Sequence, residues 1–350
     1  MYRVFISYSH HDSELASRIA KTLEGNGLRP MWDRNFLYGY GFHDQIKNFI
    51  AYAHVFLPVI TKAADERKWV HQEIGYAMAL NIPMLPLALG TLPGEMLQQI
   101  QAVMITEDVE SFKGHLSHES IHNMVQRHSS GSLALYQCAD FAEDRAATMA
   151  KYANDVRELG YRDLVRQKGA LSSFHIPDKT INHPVWRDRY GGQDRGPHHC
   201  RLQREERIAL EAHARVAGCK LIINPAIAYR QYGESARIVR LRCLLDFLES
   251  MPDDKCQVAI DLKMAHSESV TIVGDWFSAE SVSAQIGRGY RQTIFTRHAP
   301  SMVSKTDAFD REFDERLDAN GWQAETSRTR AIEEIRRILD EAKQNMPPAQ

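Results

Sequence analysis

The stretch that decides the fold runs from residue 55 to residue 87 and reads VFLPVITKAADERKWVHQEIGYAMALNIPMLPL. Its first six residues, 55–60, are apolar and predict a buried strand. Residues 66–80 carry apolar side chains at helical spacing, and residues 83–87 predict a second strand. Two strands joined by a helix run parallel, because the helix returns the chain to the same end of the sheet. We therefore expect a parallel sheet with helices on both faces.

The same alternation of strand and helix surrounds this stretch. The predicted elements before it are strands over residues 2–7 and 28–32, helices over 12–26 and 42–52, and a loop over 33–41. Asp12 is the expected N-cap of the first helix, since a short polar side chain there can accept a helix N–H. After the quoted stretch, residues 106–130 predict a last helix that leads into a linker.

The second half of the chain alternates helix and strand less regularly. Its predicted helices cover residues 141–160, 202–217, 234–250 and 306–319, and its predicted strands cover 220–223, 257–262, 269–273 and 292–296. A length of 350 residues is typical of two domains. We therefore expect an N-terminal α/β domain over residues 1–125 and a second α/β domain over 126–350. This second domain ends in a predicted amphipathic helix near residues 327–345.

The bulk composition is that of an ordinary soluble globular protein. Hydrophobic residues make up 43% of the chain, charged residues make up 25%, and the formal net charge is −2. This balance argues against binding to duplex nucleic acid. Five cysteines, an odd number scattered through the second half, indicate a reducing cytoplasm. Because the most apolar stretch, residues 75–90, is too short to span a bilayer, we expect a cytoplasmic protein without membrane contact.

The helix predicted within the quoted stretch carries a pattern that can be functional. Trp69 and Glu73 are one turn apart on one edge, and Val70, Ile74 and Met78 form an adjoining apolar stripe. In a parallel sheet such a helix lies near the carboxyl ends of strands, where ligand crevices form. From spacing alone, a solvated carboxylate beside a half-buried tryptophan is the commoner arrangement.

Three short motifs stand out in the first 110 residues. They are Phe5-Ile6-Ser7-Tyr8, then Met31-Trp32-Asp33 before a glycine-bearing loop, then Trp69-Val70-His71-Gln72-Glu73-Ile74. In this order and at these separations they resemble the TIR (Toll/interleukin-1 receptor) domain family, and the last motif is similar to the catalytic helix of the members that cleave NAD+. The similarity continues through residues 81–87, 92–93 and 101–103. It implies a flavodoxin-like α/β fold with a five-stranded parallel sheet.

The resemblance also implies which residues form a site. Glu73 matches the catalytic glutamate of the NAD-cleaving members, and Asp33 matches the acid that opens a mobile loop. The substrate-binding residues implied in this way are Phe5, Ser7, Tyr8, Asp33, Gly41 and Trp69. This sequence departs from the family in the loop itself, because residues 34–41 are rich in aromatic side chains.

Cleavage of NAD+ is consistent with a single carboxylate. Ordinary glycoside hydrolysis needs a second carboxyl group, which protonates a neutral leaving oxygen. Nicotinamide leaves NAD+ as a neutral base, so a fixed anion such as Glu73 has only to stabilise the positive ribose. NAD+ is then the substrate, no cofactor is expected, and the product is ADP-ribose or cyclic ADP-ribose. The alternative is a TIR domain that serves only as a signalling scaffold.

An enzyme that consumes NAD+ needs an off state, and the second domain is the candidate sensor. TIR sites are commonly completed by a neighbouring TIR domain, so the resemblance implies assembly into an oligomer or filament as the switch. A single N-terminal TIR domain with an unrelated partner domain resembles bacterial anti-phage effectors, whose trigger is often a nucleotide second messenger. We therefore expect self-association through both domains and activation by a cyclic nucleotide or oligonucleotide.

One stretch of the second half weakly resembles half of a phospholipase-D-like domain. It begins at His266 and continues through a predicted strand and helix. That family requires a lysine and an aspartate at positions where this chain has Glu268 and Val273. We therefore expect a degenerate or unrelated α/β domain without hydrolytic activity of this kind.

Two further groups of residues in the second half suggest ligand sites. Arg288 and Arg291 lie in a glycine-bearing segment that is either a phosphate cradle or an exposed turn. His183 and the adjacent His198, His199 and Cys200 are residue types that bind metals, but their spacing matches no zinc pattern. The sequence therefore predicts no metal.

Overall fold

The computed structural model describes residues 1–33, 42–65, 68–90, 101–128, 136–169, 172–176, 192–226, 233–264, 268–283 and 291–344. The chain forms two compact units. The N-terminal unit is mainly Met1–Tyr136, and the C-terminal unit consists mainly of Gln137–Arg157, Tyr161–Thr296 and Met302–Gln350. Within the described residues, no helix combines the length and the apolar character that crossing a membrane requires.

Parallel strands form the five-stranded sheet of the N-terminal unit. They are β1 (Arg3–Ser7), β2 (Arg29–Met31), β3 (Val55–Ile60), β4 (Leu87–Leu89) and β5 (Val103–Ile105). Their order across the sheet is β2-β1-β3-β4-β5, with Val4 of β1 between Pro30 of β2 and Val55 of β3. The strand order reverses between β1 and β3, and open α/β sheets form ligand crevices at the carboxyl ends of such strands. The predicted five-stranded parallel sheet is confirmed.

Helices cover this sheet and complete its core. They are α1 (Ser13–Gly25), α2 (Phe42–Tyr52), α3 (Lys62–Asp65), α4 (Lys68–Ala79), α5 (Glu110–Lys113) and α6 (His118–His128). Helix α1 buries Leu15, Ile19 and Leu23, which recur at helical spacing. The chain turns after α1 at Gly27, whose φ of +71° is a conformation that favours glycine.

The strand predicted over residues 83–87 lies later in the chain than expected. The structure has β4 at Leu87–Leu89 instead. Pro83 and Pro86 have no N–H to donate to a neighbouring strand. The regular pairing of β4 with β3 and β5 therefore begins only after the second proline.

The ends of two helices differ from the sequence-based expectation. The helix predicted over residues 106–130 is divided into α5 and α6, and the Ser117 hydroxyl accepts the N–H of Ser120 at 3.1 Å as a cap for α6. Asp12 lies at the start of α1 but makes no capping hydrogen bond. Its Oδ2 instead accepts a hydrogen bond from the Thr61 hydroxyl at 2.7 Å, which ties the start of α1 to the residue after β3.

A seven-stranded mixed sheet forms the centre of the C-terminal unit. Its strands are β6 (Tyr136–Ala139), β7 (Val165–Gly169), β8 (Cys219–Ile223), β9 (Cys256–Ile260), β10 (Ser269–Val273), β11 (Phe277–Ser283) and β12 (Arg291–Thr296). Their order is β6-β12-β11-β10-β7-β8-β9. Strands β7, β8 and β9 are parallel to one another. Strand β10 is antiparallel to both β7 and β11, and β11 is antiparallel to β12. The expected second α/β region is therefore confirmed, with an antiparallel part that was not predicted.

The helices of this unit follow the predicted order with shifted starts. They are α7 (Ala142–Glu158), α8 (Gly192–Ala217), α9 (Gly233–Ser250), α10 (Ala299–Asn320) and α11 (Ala324–Gln344). Helices α8 and α10 begin several residues before the predicted starts at 202 and 306. Helix α11 buries one face, which includes Ile332, Ile335 and Leu339.

Candidate active site

A cavity of about 220 Å³ lies at the carboxyl end of β1. Residues 5–10, at the end of β1 and directly after it, form one wall. Asp33 after β2, Ile46 of α2 and Glu73 of α4 also line it. The cavity is therefore at the edge of the sheet where open α/β folds place their ligands.

Helix α4 packs one face in the core and lines this cavity with another. Ile74 and Ala77 are buried, whereas Met78, which the sequence pattern assigned to the apolar stripe, is 44% exposed. With 3.6 residues per turn, position 77 lies closer to the line of the stripe than position 78 does. Trp69 and Glu73, one turn apart, both line the cavity.

Hydrogen bonds from two neutral side chains hold the carboxylate of Glu73. The Ser7 hydroxyl donates to Glu73 Oε2 at 2.5 Å, and Trp69 hydrogen-bonds the same carboxyl group. Only 7% of Glu73 is exposed. The two partners come from β1 and from the preceding turn of α4, so the position of the carboxyl group is fixed by the sheet and by its own helix.

The environment of Glu73 favours its protonated form. The pKa of Glu73 is raised from 4.5 to about 7, mainly because burial removes the hydration of the charged carboxylate. Within this net shift, the hydrogen bonds from Ser7 and Trp69 lower the pKa because they favour the anion, and the negative charge of Asp33 makes a smaller upward contribution. A carboxyl group whose pKa lies near neutrality is typical of functional sites.

A second acid lies on the wall of the cavity. The Tyr8 hydroxyl donates a hydrogen bond to Asp33 Oδ1 at 2.5 Å, and His10 Nδ1 lies 3.5 Å from Asp33 Oδ2. The Tyr8 ring also contacts the ring of Trp32. These contacts connect the end of β1 to the end of β2 and fix where the chain leaves the sheet toward residue 34.

Comparison with known families gives a match over this part of the chain. The family model described as TIR domain matches residues 4–117. These residues form a TIR domain. The match begins in β1 and includes the sheet, the cavity and α4.

Comparisons with individual proteins add little to this result. No curated protein matches the chain. Among solved structures, the archaeal chromatin protein TrmBL2, described as having a novel mode of DNA binding, aligns at 8% identity with a TM-score of 0.31. The alignment covers 60% of this chain and 63% of that protein, so the chain spans less than two thirds of its length. At this identity and TM-score, the likeness supports no conclusion about fold or function.

The TIR domain brings most of the predicted site residues together. Those that line the cavity are Phe5, Ser7, Tyr8, Asp33, Trp69 and Glu73. Gly41 and Arg288 lie outside the described residues. Arg291 begins β12, but its side chain is not described, so the phosphate cradle suggested for this segment remains a prediction.

Sequence reasoning missed several residues of the cavity wall. They are Ile6, Ser9, His10, Ile46 and Val70. Ser9 and His10 directly follow the first motif, so their position at the end of a strand could have indicated them. Ile46 lies on α2, which carries no recognisable motif, and only the packing of α2 beside α4 brings it to the cavity.

Proposed function

We propose that the TIR domain cleaves the bond between nicotinamide and ribose in NAD+. The observation that carries this proposal is the position of Glu73, a nearly buried carboxyl group that lines the cavity and accepts hydrogen bonds from Ser7 and Trp69. Glutamate is rarely buried unless it is paired, because its charge is costly to remove from water. Ser7 and Trp69 are neutral, so they do not compensate the negative charge of Glu73. A cationic substrate would compensate it, and NAD+ carries its positive charge on the nicotinamide ring.

The proposed reaction uses Glu73 as a fixed negative charge. As the bond from the ribose C1′ to the nicotinamide nitrogen breaks, its electron pair goes to nicotinamide, which leaves neutral. Positive charge then develops on the ribose, and the adjacent carboxylate stabilises it. Attack by water on C1′ gives ADP-ribose and a proton, whereas attack by an adenine nitrogen of the same molecule gives cyclic ADP-ribose without the addition of water.

Other residues of the cavity support this chemistry. Ser7 and Trp69 hold the carboxylate in place, so little reorganisation is needed during the reaction. The apolar side chains of Phe5, Ile46 and Val70 line the same cavity and limit the access of water to the reacting bond. The Trp69 ring also offers a flat surface for the nicotinamide ring.

NADH provides a sharp test of this mechanism. Its dihydronicotinamide ring carries no positive charge and would have to leave as an anion, which the negative charge of the Glu73 carboxylate disfavours. We expect the protein to release nicotinamide from NAD+. We expect it to cleave NADH at less than about one thousandth of the NAD+ rate. Chromatography of the products measures both rates. Comparable cleavage of NADH would contradict the mechanism.

The activity should depend on pH through Glu73. Its anion is the active form, and its pKa of about 7 means that the protonated form predominates below neutrality. We therefore expect kcat/KM for NAD+ to fall by about tenfold per pH unit below pH 7 and to level off above about pH 8. Initial rates at low NAD+ concentration measure this profile. A constant kcat/KM from pH 5 to pH 8 would mean that no group with this pKa is required.

We further propose that this reaction belongs to a bacterial anti-phage effector that is switched on by assembly. TIR domains self-associate, and here the TIR domain is joined to a separate compact α/β unit. That unit is the candidate receptor for a nucleotide activator and the candidate site of oligomerisation. Assembly of the chain would raise the local concentration of TIR domains and complete their sites.

A further inference from the structure

A second hollow adjoins the active-site cavity. It also measures about 220 Å³, and it shares Ile46, Trp69 and Glu73 with the cavity. Because the same side chains line both spaces, the hollow and the cavity are direct neighbours around Glu73. The hollow belongs entirely to the TIR domain.

The hollow lies between helices α2 and α4. Lys47 and Ile50 line it from α2, and Gln72 and Tyr76 line it from α4. On α4, Trp69, Gln72, Glu73 and Tyr76 are spaced i, i+3, i+4 and i+7, which places them on one face of the helix. The face that lines the hollow is therefore the same face that presents Glu73.

The chemistry of the hollow changes from its base to its rim. Ile46 and Ile50 are buried and make the base apolar. Lys47 and Gln72 are exposed, and Tyr76 is half-buried. One cation, one amide and one aromatic ring thus surround an apolar base. This set suits a ligand that combines a flat ring with negative charge.

The active-site cavity alone is small for NAD+. Its volume of about 220 Å³ lies below the range of roughly 300–1,000 Å³ typical of sites for whole ligands and cofactors. The nicotinamide and its ribose can occupy that space beside Glu73. The two phosphates and the adenosine then require adjoining room, which the hollow supplies.

We propose that the hollow binds the adenosine diphosphate half of NAD+. In this groove subsite, formed by Ile46, Lys47, Ile50, Gln72 and Tyr76, the Tyr76 ring stacks on adenine and Lys47 attracts the diphosphate. The Gln72 amide offers both a donor and an acceptor to the edge of the base. This inference rests on the proposed function, because it assigns the second half of the same substrate.

Calorimetric titration of the full chain with ADP tests the groove subsite. ADP contains the adenosine and both phosphates of NAD+ but lacks the nicotinamide riboside. We expect ADP to bind and to compete with NAD+, and Tyr76→Ala to weaken ADP binding at least about fivefold, the lower end of the loss of one base–aromatic stack. Lys47→Ala should weaken ADP binding and reduce its dependence on salt, because that dependence comes from an exposed charge.

Matched variants separate a lost contact from a lost fold. Tyr76→Phe keeps the ring and Lys47→Arg keeps the charge, so both should bind ADP as the wild type does. Lys62→Ala removes an exposed lysine of α3, outside the subsite, and should leave ADP binding unchanged. Nicotinamide riboside, which lacks the adenosine and the phosphates, should bind the wild type, Tyr76→Ala and Lys47→Ala with equal affinity.

Two outcomes overturn the subsite. One is an absence of ADP binding up to about 10 mM, beyond which affinity is too weak to contribute to recognition. The other is equal ADP affinity in the wild type, Tyr76→Ala and Lys47→Ala. Either result leaves the proposed reaction standing if NAD+ is still cleaved. ADP binding that depends on both residues, in a chain that never cleaves NAD+, supports the subsite and rejects the reaction.

Discussion

Replacement of Glu73 by glutamine is expected to abolish NAD+ cleavage without unfolding the TIR domain. Glutamine has nearly the same shape and keeps an oxygen that can accept the hydrogen bond from the Ser7 hydroxyl, but it carries no charge. We expect nicotinamide release to fall at least about 100-fold, the effect of removing one preorganised electrostatic group from an active site. Chromatography measures the release, and circular dichroism checks the fold.

Glu24→Gln is the matched control for this prediction. It makes the same chemical change at an exposed carboxyl group of α1, away from the cavity. We expect its rate of nicotinamide release to stay within about twofold of the wild type, since surface substitutions away from special features have small effects. Equal rates in the wild type and Glu73→Gln would show that the carboxylate is not catalytic.

The same substitution is expected to stabilise the protein at high pH. The folded state holds a proton on Glu73 up to about pH 7, whereas an ordinary glutamate releases it near 4.5. Between these values the folded state binds more protons, so its stability falls as pH rises. Well above pH 7 the full difference costs about 3.5 kcal/mol, at roughly 1.4 kcal/mol per pKa unit. Glutamine does not ionise and avoids this cost.

Urea unfolding at two pH values measures the stability difference. At pH 8 the free energy of unfolding of Glu73→Gln should exceed that of the wild type by about 3 kcal/mol, and at pH 5 by less than about 1 kcal/mol. Glu24→Gln should match the wild type at both pH values, because its carboxyl group is exposed. If Glu73→Gln were no more stable than the wild type at pH 8, burial of the charged carboxylate would not destabilise the folded state.

Hydrophobic pattern predicted strands β1 to β3 of the N-terminal sheet, but it predicted neither β5 nor all of the C-terminal sheet. Val55–Ile60 is apolar and fully buried, so its assignment as a strand followed from the sequence. Strand β7 (Val165–Gly169) contains Arg166, Lys168 and a buried Gln167. Arg166 pairs with Asp310, and Gln167 hydrogen-bonds Thr271 at 3.2 Å. These partners are distant in sequence, so the pattern of β7 alone could not indicate a central strand.

The site was predictable only where a motif marked it. Glu73 and Ser7 are 66 positions apart, and their resemblance to family motifs, rather than their spacing, suggested that they share a site. Ile46, Lys47 and Tyr76 belong to no motif that we recognised. Their positions at the two spaces beside Glu73 depend on how α2 packs beside α4, and helix packing is not encoded in the spacing of either helix. For the same reason, the raised pKa of Glu73 could not be predicted from sequence.

Nicotinamide release from NAD+ by the full chain tests the central claim most directly. It should be measured over a wide range of protein concentration and again after the TIR domain is forced to cluster by fusion to a multimeric scaffold. We predict release that rises more steeply than protein concentration, and release by clustered wild type that is lost in clustered Glu73→Gln. No release from clustered wild-type protein, with the fold intact, would contradict the account and leave the TIR domain as a signalling scaffold.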